Sequence, residues 1–344
     1  MRAILAERLR HFPTVSFFDG PTPIRRLSRL ERACDAQRRD IRLFVKRDDI
    51  GEVGGGGNKL RKLEFLLGAA LAEGADTIIT VGGIQSNHAR LTAAACARLG
   101  LACELMLSDR VPLHDAAYRE NGNVLLDGIF GATVRVLPPG VDVLDAANAR
   151  AEALAAEGRK AAVIPSGGST PLGALGYVGC ALEILEYETA SDVRFDRVIV
   201  PNGSAGTQAG LIAGFHAAGR GAQTVQAFSV LAERDASHAK AHQLAQAALA
   251  LLNVSCPPLP MTEVTVDGSH RGQAYGMPTD GMRAAVRLLA RTEGLLLDPV
   301  YSGKAFAGLL AGLRDASIPA GSHVLFVMTG GTPGLFAYTP TFSS

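Results

Sequence analysis

Lys59 is the leading candidate for a nucleophile, because it follows the glycine run 54–57 and Asn58. Glycines permit backbone conformations that other residues avoid, and they let a ligand approach the chain closely. Lys59 falls in the first turn of a predicted helix, where the helix dipole disfavours a cation and lowers the pKa of the amine. A neutral lysine amine can form a Schiff base with a carbonyl group. The alternative is an ordinary solvated lysine in a basic helix start beside Arg61 and Lys62.

A second polar cluster, Ser86-Asn87-His88, follows a predicted strand and opens a predicted helix. Backbone N–H groups at a helix N-terminus, together with hydroxyl and amide side chains, can bind a carboxylate or a phenolate. Helix capping by Ser86 or Asn87 is the simpler interpretation, and it is compatible with ligand binding. His88 by itself is more typical of a structural residue than of a catalytic one.

A third loop lies between a strand and a helix and reads Gly203-Ser204-Ala205-Gly206-Thr207. Glycines and hydroxyls at a helix N-terminus form a cradle for one phosphate. NAD binding is not expected, because the next strand candidate, Thr224 to Val230, contains no acid to bind a ribose. The glycine run before Lys59 is not a nucleotide phosphate loop, because Leu60 stands where that motif needs Ser or Thr.

Two further loops and one isolated tyrosine complete the candidate site. Tyr301 and Ser302 follow Asp298, and Thr329 with Gly330 ends the last predicted strand. Tyr275 lies in a loop that reads QAYGMP. Each segment alone could be ordinary turn chemistry. Five polar or glycine-rich loops at strand ends are harder to explain as turns and indicate one ligand site.

The elements that would position these loops alternate between short apolar strands and Ala/Leu-rich helices. Strands are predicted at 41–48, 76–83, 101–107, 134–137 and 162–165, and a strand followed by a glycine loop is predicted within 196–206 and within 323–334. Helices are predicted at 58–75, 87–100, 144–157 and 207–219. Repeated strand, glycine loop and helix units predict mostly parallel, open twisted sheets flanked by helices. Glycine-rich crossings near 51–60 and 166–176 suggest one domain inserted into another, with a cleft between them. The expected division is a large domain of 1–60 plus 175–344 and a small α/β domain of 61–174.

The composition excludes several classes of protein. The 344 residues are 47% hydrophobic and carry a formal net charge of +1, which predicts an ordered protein without a nucleic-acid surface. No stretch approaches 18 uncharged apolar residues, so no membrane span is expected. The five cysteines have neither zinc spacing nor an even count, which predicts reduced thiols and no metal site. Residues 1–13 lack the pattern of a signal peptide, so a cytoplasmic location is expected.

The chain resembles the fold type II (tryptophan synthase β-like) pyridoxal-phosphate enzymes. Within them it is similar to the D-cysteine desulfhydrase and 1-aminocyclopropane-1-carboxylate (ACC) deaminase group. The resemblance covers nearly the whole chain and rests on PTPIRRL, KRDD, GGNKLRKLEF, IQSNHAR, IPSGGSTPLGALGYV, NGSAGT, YGMP, EGLLLDPVYSGKA and TGGTPGLFAY. As a set, these motifs are highly specific.

The resemblance implies a role for each motif. Lys59 would bind pyridoxal phosphate covalently, Asn87 would contact its hydroxyl, and the 203–207 loop would hold its phosphate. Ser86, with the backbone N–H groups of Asn87 and His88, would bind the substrate carboxylate. Tyr275 and Tyr301 would face a small amino-acid substrate. The resemblance also implies a cofactor site in the interdomain cleft and a homodimer.

The departure that matters is Ser302, because ACC deaminases carry a glutamate there that keeps the pyridine nitrogen protonated. A neutral partner, Ser302 or Thr329, leaves the cofactor a weaker electron sink. Opening a cyclopropane needs strong carbanion stabilisation, whereas a β-substituent carries charge away as it leaves.

The predicted reaction is therefore elimination from D-cysteine to pyruvate, sulfide and ammonia. Lys59 or, second, Ser86 removes the α-proton, and Tyr301 assists proton movement. L-cysteate sulfo-lyase, ACC deaminase and a non-catalytic protein that binds an amino acid or the cofactor are the alternatives.

Overall fold

Ten strands form two separate sheets in the computed structural model, which describes residues 1–343. The larger sheet has the order β1-β2-β10-β7-β8-β9, and the smaller has the order β5-β4-β3-β6. All neighbouring strands are parallel except β1, which pairs antiparallel with β2. The strands are β1 (Ile24–Arg26), β2 (Arg42–Arg47), β3 (Thr77–Gly83), β4 (Ala102–Ser108), β5 (Thr133–Leu137), β6 (Ala161–Ile164), β7 (Arg197–Asn202), β8 (Val225–Ser229), β9 (Thr265–Asp267) and β10 (His323–Met328).

Fourteen α-helices within the described residues connect and cover these strands. They are α1 (Arg2–Arg10), α2 (Ser28–Ala33), α3 (Lys59–Ala72), α4 (Asn87–Leu99), α5 (Ala116–Glu120), α6 (Asn123–Ile129), α7 (Val143–Ala156), α8 (Pro171–Ser191), α9 (Gly206–Ala217), α10 (Arg234–Leu252), α11 (Asp280–Glu293), α12 (Ser302–Arg314), α13 (Pro333–Ala337) and α14 (Thr339–Phe342). None of those described is long and apolar enough to cross a membrane.

The inner strands β3 and β7 are buried on both faces, which explains why they are continuous apolar runs and not alternating ones. The edge strands β1 and β5 are mostly exposed. In β7, Val198 and Val200 face the core under α8, α9 and α10, whereas Ile199 faces the core under α11 and α12. In β3, Ile78 packs against α3 and α4, and Ile79 packs toward α7. The predicted α/β class with two mostly parallel sheets is confirmed.

The two sheets use different stretches of the chain. The smaller sheet takes its strands from residues 77–164, and the larger sheet takes its strands from residues 24–47 and 197–328. Helix α3 packs toward both, since Leu63 belongs to the core of the smaller sheet and Phe65 to that of the larger. The domain boundaries at 60/61 and 174/175 stay a prediction.

Candidate active site

A cavity of about 300 Å³ lies where the carboxyl ends of β3, β4, β7 and β10 approach one another. In open α/β sheets, ligands bind outside the carboxyl ends of the strands, where the connecting loops diverge. The lining residues are Asn58, Lys59, Lys62, Gly82, Gly83, Ser86, Asn87, His88, Ser108, Arg110, Val111, Tyr118, Val143, Ser166, Gly167, Pro201, Gly203, Ser204, Ala205, Gly206, Thr207, Leu231, Tyr275, Tyr301 and Thr329. Most of the side chains predicted from the sequence therefore meet in one place.

Lys59 begins α3 and reaches this cavity from the end of the glycine run. Positive φ angles at all four glycines fold the run tightly, and a Cβ at Gly56 would lie 2.2 Å from the Asp49 carbonyl oxygen. The Lys59 amine donates to Asn58 Oδ1 at 2.8 Å. Desolvation lowers the pKa of Lys59 to about 8, with Arg90 adding to the shift and the carboxylate of Asp298 opposing it. The lowered pKa follows the prediction, but its main cause is burial.

Ser86 caps α4, because its hydroxyl oxygen accepts a hydrogen bond from Ala89 N–H at 3.1 Å. The His88 ring is held in the cavity wall by a hydrogen bond. Thr80 Oγ1 donates to the Ile164 carbonyl at 2.8 Å and so accepts from His88 Nε2 at 2.8 Å. Burial lowers the pKa of His88 well below its usual value, so the ring stays neutral. Capping and a place in the cavity wall therefore coexist for this cluster.

The loop 203–207 follows β7 and turns into the N-terminus of α9. Ala205 has a positive φ of 75°, an uncommon conformation that turns the loop into the helix. Ser169 Oγ accepts from Gly206 N–H at 3.2 Å and hydrogen-bonds to Ser204 Oγ at 2.7 Å. Asn58 Nδ2 donates to Thr207 Oγ1 at 2.9 Å, which connects this loop to the Lys59 segment.

Lys62 also lines the cavity, although from the sequence it was named only as part of a basic helix start. Its buried amine donates to the Gly167 carbonyl at 3.0 Å and to Ser169 Oγ at 3.2 Å. A Cβ at Gly206 would lie 2.9 Å from Lys62 Nζ, which places the amine against the cradle. Burial lowers the pKa of Lys62 well below its usual value. The available signal was its spacing of three from Lys59, which puts both lysines on one helix face.

Tyr275 and Tyr301 form a pair in the cavity wall. Their hydroxyls are hydrogen-bonded to each other, and the ring centroids lie 5.9 Å apart. Lys59 Nζ lies 5.8 Å from the centroid of the Tyr301 ring. Burial raises the pKa of both phenols, so both stay protonated and can donate. A Cβ at Gly203 would lie 2.9 Å from Tyr301 Cε1, so the loop needs glycine there.

Ser302 and Gly330 do not line the cavity among the described residues, whereas Thr329 does. The Ser302 hydroxyl is buried, donates to Asp298 Oδ1 at 2.6 Å and accepts from Asp298 N–H at 2.8 Å. Gly330 packs on the glycine run, since a Cβ there would lie 2.8 Å from Gly57 Cα. The geometry favours Thr329 over Ser302 as the hydroxyl available to a ring nitrogen, and both roles stay predictions.

These residues fit a small phosphorylated aromatic aldehyde. The cradle joins a helix N-terminus to a buried amine, an arrangement suited to a dianionic phosphate. Within the described part of the chain no carboxylate pairs with Lys62, so its buried amine is left to pair with an anionic ligand. Lys59 supplies an amine that can attack an aldehyde carbon, and Asn87 and Thr329 supply polar side chains for the ring of such a ligand. Fold and cavity together suit an enzyme that binds a phosphorylated aromatic aldehyde.

The chain belongs to the pyridoxal-phosphate dependent enzymes, whose family profile matches residues 15–330. Its cofactor is accordingly pyridoxal 5'-phosphate. It is 43% identical over 336 residues to a D-cysteine desulfhydrase of Yersinia pestis (strain Pestoides F), covering 98% of this chain and 99% of that protein. It is 42% identical over 338 residues to a D-cysteine desulfhydrase of Serratia proteamaculans (strain 568), with the same coverage of 98% and 99%.

The solved structures agree with this placement. An ACC deaminase homologue superposes with a TM-score of 0.87 at 36% identity, covering 100% of this chain and 99% of that one. O-ureido-L-serine synthase superposes with a TM-score of 0.62 at 19% identity, covering 95% of each chain, and it shows the shared fold alone. The predicted family, fold type and cofactor are therefore confirmed.

Proposed function

We propose that this enzyme is a lyase that converts D-cysteine and water to pyruvate, hydrogen sulfide and ammonia. The observation that carries the proposal is one cavity in which a lysine amine with a pKa of about 8 faces two protonated tyrosines. The full-length similarity to D-cysteine desulfhydrases supports the choice of substrate.

The cofactor would be held by groups from four parts of the chain. Lys59 and Asn58 would lie at its aldehyde, Asn87 at its hydroxyl, and Thr329 at its ring nitrogen. The cradle residues Gly203, Ser204, Ala205, Gly206 and Thr207, with Lys62, would hold its phosphate. When bound, pyridoxal phosphate takes up the electron pair left at the substrate α-carbon once the α-proton is removed.

The substrate carboxylate would bind at the N-terminus of α4. The N–H groups of Asn87 and His88 lie in the first helical turn, where no preceding helical carbonyl can accept them. The partial positive charge of that terminus favours a carboxylate. Ser86 keeps one hydroxyl proton to donate, because its oxygen serves the cap by accepting.

The α-proton would go to the amine of Lys59, since a base with a pKa near the working pH transfers protons efficiently. Ser86 is the second candidate, and its engagement as a cap makes it the weaker base. Departing sulfide needs a proton, and the hydrogen-bonded phenols of Tyr275 and Tyr301 can supply one. A neutral hydroxyl at the ring nitrogen, here Thr329, would favour this elimination over opening of a cyclopropane.

L-cysteate is a second candidate substrate, because the guanidinium of Arg110 stands at the cavity wall, where it interacts electrostatically with Asp142, a residue that does not line the cavity. Arg110 is exposed and has no ion pair within 4 Å among the described residues, whereas its neighbour Asp109 pairs with Arg119 at 2.6 Å. No carboxylate is among the described lining residues. An anionic sulfonate on the β-carbon would fit beside the Arg110 guanidinium.

A comparison of D-cysteine, L-cysteate and ACC tests these assignments. We expect the highest kcat/KM for D-cysteine, measured as pyruvate release. Arg110→Gln should lower kcat/KM for L-cysteate about tenfold and leave D-cysteine within about twofold, since a charged hydrogen bond contributes about 1.5 kcal/mol. The matched control is Arg29→Gln on α2, an exposed arginine far from the cavity. Faster 2-oxobutyrate formation from ACC would contradict the proposal, as would no product from any of the three.

A homodimer in the cytoplasm is also proposed. Helix α6 and the edge strand β5 expose the apolar side chains Leu125, Ile129, Val134 and Val136, with Ile129 at 66% exposure. Exposed apolar patches of this kind mark protein interfaces. Light scattering should give about twice the 35.9 kDa mass of one chain, and a mass of one chain would contradict the dimer.

The five cysteines are unpaired, which suits a reducing compartment.

A further inference from the structure

Asn123, at the start of α6, lies 36 residues beyond Asn87 in the sequence and touches it in the fold. We propose that Asn123 is a positioning residue that fixes the Asn87 amide so that its NH2 group, and not its oxygen, is presented to the cofactor. This inference rests on the proposed site, in which Asn87 meets the cofactor's hydroxyl.

The orientation of the Asn123 amide is dictated by a main-chain carbonyl. Asn123 Nδ2 donates to the Gln85 carbonyl oxygen at 3.2 Å and to Asn87 Oδ1 at 3.0 Å. A carbonyl oxygen only accepts, so the nitrogen of Asn123 must face Gln85. Its second hydrogen then selects the oxygen of Asn87. Asn123 is 1% exposed, so water cannot replace either partner freely.

The orientation of the Gln85 side-chain amide is fixed by main-chain carbonyls in the same way. Gln85 Nε2 donates to the carbonyls of Tyr118 at 2.6 Å and Asn121 at 2.8 Å, which leaves Oε1 to accept from Asn123 N–H at 3.0 Å. The turn before α6 is held close, since a Cβ at Gly122 would lie 2.9 Å from Gln85 Oε1. Gln85 therefore fixes the main chain of Asn123 while its own carbonyl fixes the side chain.

The hydrogen bond from Asn123 determines which end of the Asn87 amide remains free. With Oδ1 engaged by Asn123, Asn87 has its two Nδ2 hydrogens to offer, and Asn87 lines the cavity. A hydrogen-bond donor at this position stabilises the ionised form of the cofactor's hydroxyl. With the amide reversed, its oxygen would face that anion and be repelled. Asn123 thus makes the contact between Asn87 and the cofactor's oxygen attractive, although Asn123 itself does not touch the cofactor.

Asn123→Ala tests this through the visible absorbance and affinity of the bound cofactor. A donor to the cofactor oxygen makes it a poorer acceptor for the imine proton, so losing the fixed donor should raise the absorbance titration midpoint by about one pH unit. The Kd for pyridoxal phosphate should rise about tenfold. Asn148→Ala on the exposed face of α7 is the matched control and should match the wild type.

A double-mutant cycle with Asn87→Ala separates positioning from general damage to the fold. If Asn123 acts through Asn87, then Asn123→Ala should change the cofactor Kd by less than twofold in the Asn87→Ala background. An equal change in both backgrounds, or a wild-type midpoint and Kd for Asn123→Ala, would overturn the inference. Asn123→Asp, which keeps the side-chain size, serves if the alanine variant does not fold. Absorbance needs no substrate, so failure of the D-cysteine assay would count against the proposed function alone.

Discussion

Replacing Lys59 with alanine is expected to lower pyruvate formation at least about 10³-fold and to remove the visible absorbance of the lysine-bound cofactor. The loss is large because one amine supplies both the covalent attachment and the base, and a positioned base alone contributes about 10²–10⁴-fold. Steady-state assays and absorbance spectra of the purified variant measure the two effects. The matched control is Lys160→Ala at an exposed site next to β6. Retained absorbance together with retained pyruvate formation would remove Lys59 from the scheme.

The pH dependence of cofactor capture follows from the same amine. In the cofactor-free enzyme the pKa of Lys59 is lowered to about 8, so the neutral, nucleophilic form grows as the pH rises and dominates above that value. At pH 7 about a tenth of the amine is neutral, against about 1 in 3000 for an ordinary lysine. Stopped-flow binding of pyridoxal phosphate should therefore show a midpoint near 8. A midpoint above 10 would show that desolvation does not activate this lysine.

Replacing Lys62 with methionine should raise the Kd for pyridoxal phosphate about 10- to 100-fold, because hydrogen bonds to charged groups contribute about 1.5–3 kcal/mol. The cofactor-free protein should keep or gain stability. Its buried amine donates only to a carbonyl and a hydroxyl, and replacing this amine with an apolar side chain removes the cost of burying a polar group that has no ion-pair partner among the described residues. Opposite signs for binding and for stability are the signature of a residue that serves the ligand.

Absorbance titration and thermal unfolding, with and without cofactor, measure both quantities for Lys62→Met. A ligand that binds only the folded protein stabilises it by RT ln(1 + [L]/Kd). Because the Kd rises in the variant, the cofactor-induced increase in Tm should shrink. Lys160→Met is the matched control and should behave as the wild type. An unchanged Kd combined with a destabilised cofactor-free protein would assign Lys62 to the fold instead of the phosphate.

Most of the fold was predictable because its signals are local. Strands β2, β3 and β7 are apolar runs that end in polar or glycine segments, and parallel strands buried on both faces require such runs. Glycines with positive φ mark the tight loops before Lys59 and after β10. The short helices α5 and α6 were not predicted, because five and seven residues give little periodicity to detect. No range was predicted for the longer helices α8, α10, α11 and α12 either.

By itself the sequence determined which loops carry chemistry, since a lysine after four glycines and a serine-capped helix are properties of adjacent residues. Tertiary structure alone decided how those loops share their hydrogen bonds. Lys62 meets a carbonyl 105 residues away, and Asn123 orients Asn87 across 36 residues. The physical reason is that burial and hydrogen-bond direction depend on packing between distant segments, and the order of residues along one segment does not encode them.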